Sequence, residues 1–88
     1  MGAAATQTVA AVQDVRPERL ADIVVLNAGY SAGLRQGMVC RVKRGSVEIA
    51  EVIVVNLRFD CSAAMIMGLS PGTAIRAGDE VEIKLLKS

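Results

Sequence analysis

Two nine-residue stretches of the chain share one pattern: Leu34-Arg35-Gln36-Gly37-Met38-Val39-Cys40-Arg41-Val42 and Ile75-Arg76-Ala77-Gly78-Asp79-Glu80-Val81-Glu82-Ile83. Each has a branched apolar residue, an arginine, a spacer and a glycine, and then a run in which apolar residues alternate with charged ones. Glycine adopts a positive φ that side chains resist, so it suits a tight turn into a strand. We interpret each copy as an apolar plug, a turn and the start of a strand, and we expect the two corners to be equivalent.

The clearest hairpin lies between the two copies. The stretches Met38–Arg44 and Val47–Val55 are joined by Gly45-Ser46, and glycine in the first turn position is typical of a type II′ turn. This turn sets Arg44 opposite Val47, Lys43 opposite Glu48 and Val42 opposite Ile49. The alternation then slips at Ala50-Glu51, where a β-bulge would return Val52 and Val54 to the inner face.

Four further strands are predicted from apolar runs bounded by turn residues, over Val9–Val15, Ala21–Leu26, Ala63–Met67 and Val81–Leu86. Pro17 should end the first of them, because proline has no amide donor. Six short strands without a long helix predict an all-β fold, a small six-stranded, mostly antiparallel barrel, SH3-like or related. We expect residues 1–7 to be a flexible leader and residues 8–87 to form a single small β-barrel domain.

Composition limits the functions that this chain can have. Hydrophobic residues make up 52% of its 88 residues, so it can bury a core without a metal or cofactor. The net charge of +1 argues against a broad electrostatic surface for nucleic acid or anionic membranes. No apolar run approaches the roughly 18 residues of a membrane span. The stretch from Met1 to Val12 is rich in Ala and Thr and has no basic residue, so we do not expect it to be a signal peptide.

The residues that usually carry catalysis are missing or isolated. There is no histidine, which removes the commonest general base and zinc ligand. Asp79 and Glu80 are adjacent, but neighbouring residues of a strand point to opposite faces, so they suit a turn better than an acid/base pair. No serine has an evident activating partner. We therefore expect no enzyme activity, no cofactor and no metal.

The two cysteines leave two interpretations open. Cys40 and Cys61 could form one disulfide in an oxidising compartment, or both could be small buried hydrophobic residues. Cys40 lies on the apolar phase of its strand beside Met38 and Val42, which favours burial.

A series of motifs also resembles a known family. It runs from Val24-Val25-Leu26-Asn27-Ala28-Gly29 through Gly33-Leu34-Arg35-Gln36-Gly37-Met38, Val42 and Ile49–Val54 to Ser62-Ala63 and Ile75-Arg76-Ala77-Gly78-Asp79-Glu80-Val81. The series is similar to the C-terminal β-barrel domain of the flagellar assembly protein T family and, more loosely, to the β-domains of the rod-shape protein MreC. Ala50 stands where that pattern commonly has glycine, and Met38 stands where a Gly-Asp pair is usual. The resemblance implies a periplasmic or cell-envelope setting, with no catalytic or cofactor residues to transfer.

We therefore expect a non-catalytic interaction or structural module that contacts a protein partner or a neighbouring domain of a longer chain. Exposed sheet edges or the loop from Asn27 to Gly37 would make the contact. The candidate contact residues are Tyr30, Arg35, Arg41, Lys43 and Arg44. Tyr30 could be an anchor, because aromatic residues are enriched at interface hot spots, or it could cover the mouth of the barrel. The alternative function is binding of nucleic acid or another polyanion through Arg41, Lys43 and Arg44.

Overall fold

The computed structural model describes residues 8–16 and 22–84. These residues form six strands and one 3₁₀ turn at Tyr30–Ala32. The strands are β1 (Thr8–Arg16), β2 (Ile23–Leu26), β3 (Val39–Arg44), β4 (Val47–Leu57), β5 (Ser62–Leu69) and β6 (Glu80–Ile83). The predicted leader at 1–7, residues 17–21 and the last predicted residues of the domain, 85–87, lie outside the described part.

The strands close into a barrel in the order β1-β2-β5-β4-β3-β6, and β6 returns to β1. Every described pairing is antiparallel. The predicted all-β, six-stranded barrel is therefore confirmed. Closure gives each described strand a neighbour on both sides. The expected contact through an exposed sheet edge therefore has no unpaired strand among the residues described.

The two corners repeat one hydrogen-bond pattern. In the first, Met38 N–H donates to the Arg35 carbonyl at 3.1 Å, and Gly37 N–H donates to the Val54 carbonyl at 2.8 Å. In the second, the Asp79 amide and the Arg76 carbonyl are also 3.1 Å apart. Gly78 N–H donates to the carbonyl of Val12, at 2.8 Å as in the first corner.

The torsion angles and side chains of the corners also match. Gly37 and Gly78 have φ values of 90° and 94°, which favour glycine over any residue with a side chain. Leu34 and Ile75 are both buried in the core, as the plug interpretation requires. The expected equivalence of the corners is confirmed.

This equivalence extends to the whole barrel. Exchanging β1 with β4, β2 with β5 and β3 with β6 leaves the strand order unchanged. The two halves of the chain thus have one topology, and each corner joins a short crossing loop to the last strand of its half.

The hairpin between β3 and β4 corrects one predicted pairing. Lys43 lies opposite Glu48 and Arg44 opposite Val47, as predicted, but Val42 faces Ala50 and not Ile49. Ile49 is the extra residue of a bulge, which therefore begins one residue before the predicted position. A bulge lets adjacent residues face the same side, and Ile49 and Ala50 are both buried.

The core inside the barrel is aliphatic. It is made of Ala10, Val12, Val24, Leu26, Leu34, Cys40, Val42, Ile49, Ala50, Val52, Val54, Ala64, Ile75 and Val81. Val52 and Val54 point inward as predicted. No aromatic side chain belongs to the core, so both aromatic residues of the chain are available for other contacts.

Candidate functional site

Both aromatic side chains of the chain are exposed at one end of the barrel. Tyr30 is 54% exposed and Phe59 is 71% exposed. Tyr30 lies in the loop between β2 and β3, and Phe59 lies in the turn between β4 and β5. We call residues 29–35 and 58–61 together the aromatic loop pair.

Backbone hydrogen bonds hold these two loops side by side. Tyr30 N–H donates to the Arg58 carbonyl at 2.8 Å, and Ser31 N–H donates to the Phe59 carbonyl at 2.9 Å. Arg58 N–H donates to the Cys61 carbonyl at 2.9 Å and closes the second loop as a turn. The positions of the aromatic residues are thus set by main-chain contacts between two segments far apart in sequence.

Gly29 makes this close approach possible. It is buried, and a Cβ atom at this position would collide with the backbone of Arg58 and Cys61. Lack of space, and not backbone conformation, requires glycine here, because any residue can adopt its φ of −145°.

Arg35 fixes the outer side of Tyr30. Its guanidinium carbon lies 4.0 Å from the centre of the Tyr30 ring, within the range of a cation–π contact. Nη1 of Arg35 also donates to the carbonyl of Leu34 at 2.8 Å and to that of Tyr30 at 3.3 Å. Leu34 itself is fully buried and fills this end of the barrel. The exposed ring of Tyr30 is therefore not a core residue, which favours the anchor interpretation.

A cleft of about 230 Å³ lies beside the aromatic loop pair. Its lining residues are Val25, Asn56, Arg58, Cys61, Ser62 and Ala63. Ser62 Oγ donates to the Ala28 carbonyl at 2.7 Å, so this hydroxyl has a structural role. The cleft is smaller than the roughly 300–1,000 Å³ of typical small-molecule sites.

The three basic candidates on β3 lie away from this end and are paired with carboxylates. Arg41 Nη1 is 3.9 Å from an oxygen of Glu48, and Lys43 Nζ is 3.6 Å from one of Glu82. Arg44 makes two 2.8 Å contacts with the carboxylate of Asp79. Of the five predicted contact residues, the structure brings Tyr30 and Arg35 together and does not join the other three to them.

Asp79 and Glu80 do not form a carboxylate pair. Asp79 is buried and bound by Arg44, whereas Glu80 is exposed. Hydrogen bonds from the Arg44 side chain hold the pKa of Asp79 below its usual range. Within residues 8–16 and 22–84, no group of three or more His, Cys, Asp or Glu side chains could hold a metal ion. The same residues include no helix long and apolar enough to cross a membrane.

The cysteines are not bridged. Cys40 and Cys61 are both free thiols, Cys40 buried and Cys61 half-buried in the cleft. Burial raises the pKa of the Cys40 thiol to about 11. The interpretation as a buried hydrophobic residue is confirmed for Cys40, whereas Cys61 is only half-buried.

Sequence reasoning missed Phe59, Arg58 and Asn56. The stretch from Arg58 to Ser62 has the polar composition of a turn, which by itself predicts no site. The available signal was Phe59 itself, an aromatic residue inside a polar turn between Arg58 and Asp60. Its proximity to Tyr30 depends on the pairing of β2 with β5, which no local pattern specifies.

The chain matches no family model, no curated protein and no solved structure in the three comparisons made.

Proposed function

We propose that this barrel is a non-catalytic interaction module, which docks a protein partner or a neighbouring domain through the aromatic loop pair. The observation that carries the proposal is the placement of Tyr30 and Phe59. The core is aliphatic, and both aromatic residues of the chain are exposed on two loops that are joined by hydrogen bonds.

The geometry of the loop pair suits a docking role. An aromatic side chain buries about 150–250 Å² when it is covered, so two rings on adjacent loops offer the central contacts of a small interface. The main-chain bonds order the two loops, and the Arg35 contact orders the Tyr30 ring, which lowers the entropy lost on binding.

The setting of this module in the bacterial cell envelope, and the comparison with SH3-like barrels, stay proposals. The envelope setting derives from the resemblance of the motif series 24–81 to envelope β-domains, and the SH3-like comparison derives from the six short strands of the barrel. The absence of enzyme activity is likewise proposed, and it is supported by the lack of histidine and by the structural engagement of Ser62 and Asp79.

A polyanion-binding face on Arg41, Lys43 and Arg44 has less support. Each of these cations already faces a carboxylate, and a phosphate would have to displace it. This alternative would require strong binding of single-stranded DNA at low salt that weakens steeply as salt is added.

The test is a selection of random displayed peptides on the folded chain, followed by titration of the selected peptides into the ¹⁵N-labelled protein. Amide shifts are expected to cluster at residues 29–35 and 56–62. The double variant Tyr30→Ala/Phe59→Ala should lose binding, whereas Met67→Ala, a control that is also 54% exposed, should keep it. The proposal fails if selected peptides shift other surfaces, or if the double variant binds them as well as the native chain.

A further inference from the structure

We propose that the cleft beside the aromatic loop pair binds an acidic side chain of the docked segment, with Arg58 holding its carboxylate. This inference rests on the proposed function and names the chemistry of the partner: a peptide in which Asp or Glu alternates with apolar residues.

Arg58 is the cation that the fold leaves unused at this site. Its side chain lines the cleft and makes no ion pair or hydrogen bond with the described residues. Asp60 follows two residues later and is exposed, and it is not paired with Arg58. A guanidinium presents parallel N–H groups that match the two oxygens of a carboxylate.

The other lining residues fit one acidic side chain. Asn56 contributes an exposed amide that can donate to a second oxygen, and Val25 and Ala63 supply apolar surface for a methylene stem. The volume of about 230 Å³ is below the range of typical small-molecule and cofactor sites. Phe59 lies on the same turn as Arg58 and can cover an adjacent apolar residue of the partner.

The charges of the barrel favour an acidic partner at this end. Arg41, Lys43, Arg44 and Lys84 are each within ion-pair distance of a carboxylate. Among the cationic side chains that the structure describes, only Arg35, Arg58 and Arg76 lack such a partner, and two of these three belong to the aromatic loop pair.

Single-stranded nucleic acid fits this end less well. Aromatic rings with arginines can stack bases, but such sites also follow the backbone with a continuous positive groove. Here the loop pair has two arginines, Arg35 and Arg58, together with the acidic Asp60. The basic residues of β3 do not extend this positive charge, because each is within ion-pair distance of a carboxylate. A few acidic side chains match this charge better than a phosphate at every nucleotide.

The experiment compares two short synthetic peptides, one of alternating Leu and Glu and one of alternating Leu and Gln, by fluorescence anisotropy. We expect the Leu/Glu peptide to bind at least about tenfold more tightly than the Leu/Gln peptide, because a charge-assisted hydrogen bond contributes a free energy of that size. Arg58→Gln should remove this preference, whereas Arg76→Gln, a matched control in the second corner, should retain it. Both variants are checked by thermal melting, and their exposed positions predict native stability.

Three outcomes would overturn the inference. Equal binding of the two peptides at the loop pair would refute the acidic preference and leave the proposed function intact. Retention of the preference in Arg58→Gln would place the carboxylate elsewhere. An unstructured oligonucleotide that displaces the Leu/Glu peptide from the native chain, and that no longer binds Arg58→Gln, would assign the site to nucleic acid. Absence of any peptide shift at 29–35 and 56–62, including for display-selected peptides, would instead remove the proposed function itself.

Discussion

The guanidinium of Arg44 binds both carboxylate oxygens of Asp79, with Nε–Oδ1 and Nη2–Oδ2 distances of 2.8 Å. Asp79 is 5% exposed and also accepts the Arg76 N–H at 2.9 Å. A second bond from Arg44 Nη2 reaches the Ala74 carbonyl at 2.9 Å. The last residue of β3 therefore ties the tip of the hairpin to the second corner, and Asp79 also shapes the turn of that corner.

The Arg44–Asp79 pair predicts that the free energy of unfolding decreases at acidic pH. Because Arg44 lowers the pKa of Asp79 from the ordinary value of 3.8, the unfolded chain takes up a proton more readily than the native chain as the pH falls. The stabilisation by Asp79 is complete above about pH 5 and is lost as the pH falls through the lowered native pKa. We expect Asp79→Asn to lower the urea midpoint at pH 7, and the difference from the native chain to close below pH 4.

The control for this prediction is Glu48→Gln. Glu48 is 3.9 Å from Arg41, and both side chains are substantially exposed, so its loss should cost less than about 1 kcal/mol. A difference between native chain and Asp79→Asn that stays constant from pH 7 to the acid range would contradict the assigned role of the ionised carboxylate.

The equivalence of the corners predicts matched effects of their plugs. Leu34→Ala and Ile75→Ala each remove a buried side chain from the core, and each should lower the free energy of unfolding by about 2–5 kcal/mol. Leu69→Ala removes a half-exposed leucine and should change it by about 0.5 kcal/mol or less. Chemical denaturation measures all three. A loss at one corner only would show that the corners share geometry without sharing a packing role.

The sequence was sufficient for the architecture because its signals are local. The alternating runs and the glycines at 37, 45 and 78 each specify a strand or a turn within a few residues. The bulge was found within one residue, because Val52 and Val54 must return inward after Ile49. The exact position of the bulge depends on whether Ile49 or Ala50 is the unpaired residue, and packing in the closed barrel determines this choice.

The candidate site was predicted in part, since Tyr30 and Arg35 share one loop and their contact is local. Phe59, Arg58 and Asn56 reach the same place only through the pairing of β5 with β2 and β4. The pairing of the basic cluster on β3 also depends on long-range contacts. The carboxylates that neutralise Lys43 and Arg44 come from β6 and the second corner, more than 30 residues away.

The thiols should differ sharply in reactivity. The thiolate is the reactive form, and burial both shields Cys40 and raises its pKa to about 11. We expect an aromatic disulfide reagent at pH 8 to modify Cys61 first and Cys40 only in denaturant, with peptide mass spectrometry to assign the sites. Equal rates at the two cysteines would contradict the burial of Cys40. No modification of either cysteine, even in denaturant, would instead indicate a disulfide.

Gly29→Ala tests whether contact between the loops positions the aromatic residues. The added methyl would collide with the backbone of Arg58 and Cys61, which cannot give way as a flexible side chain could. We expect a loss of about 1–3 kcal/mol in stability and a weaker affinity for loop-binding peptides, although Tyr30 and Phe59 are unchanged. Gly68→Ala is the matched control, because a Cβ atom there meets nothing within 4 Å. Denaturation and anisotropy on both variants measure the effects. Native affinity in a folded Gly29→Ala protein would mean that each aromatic residue acts independently of its neighbouring loop.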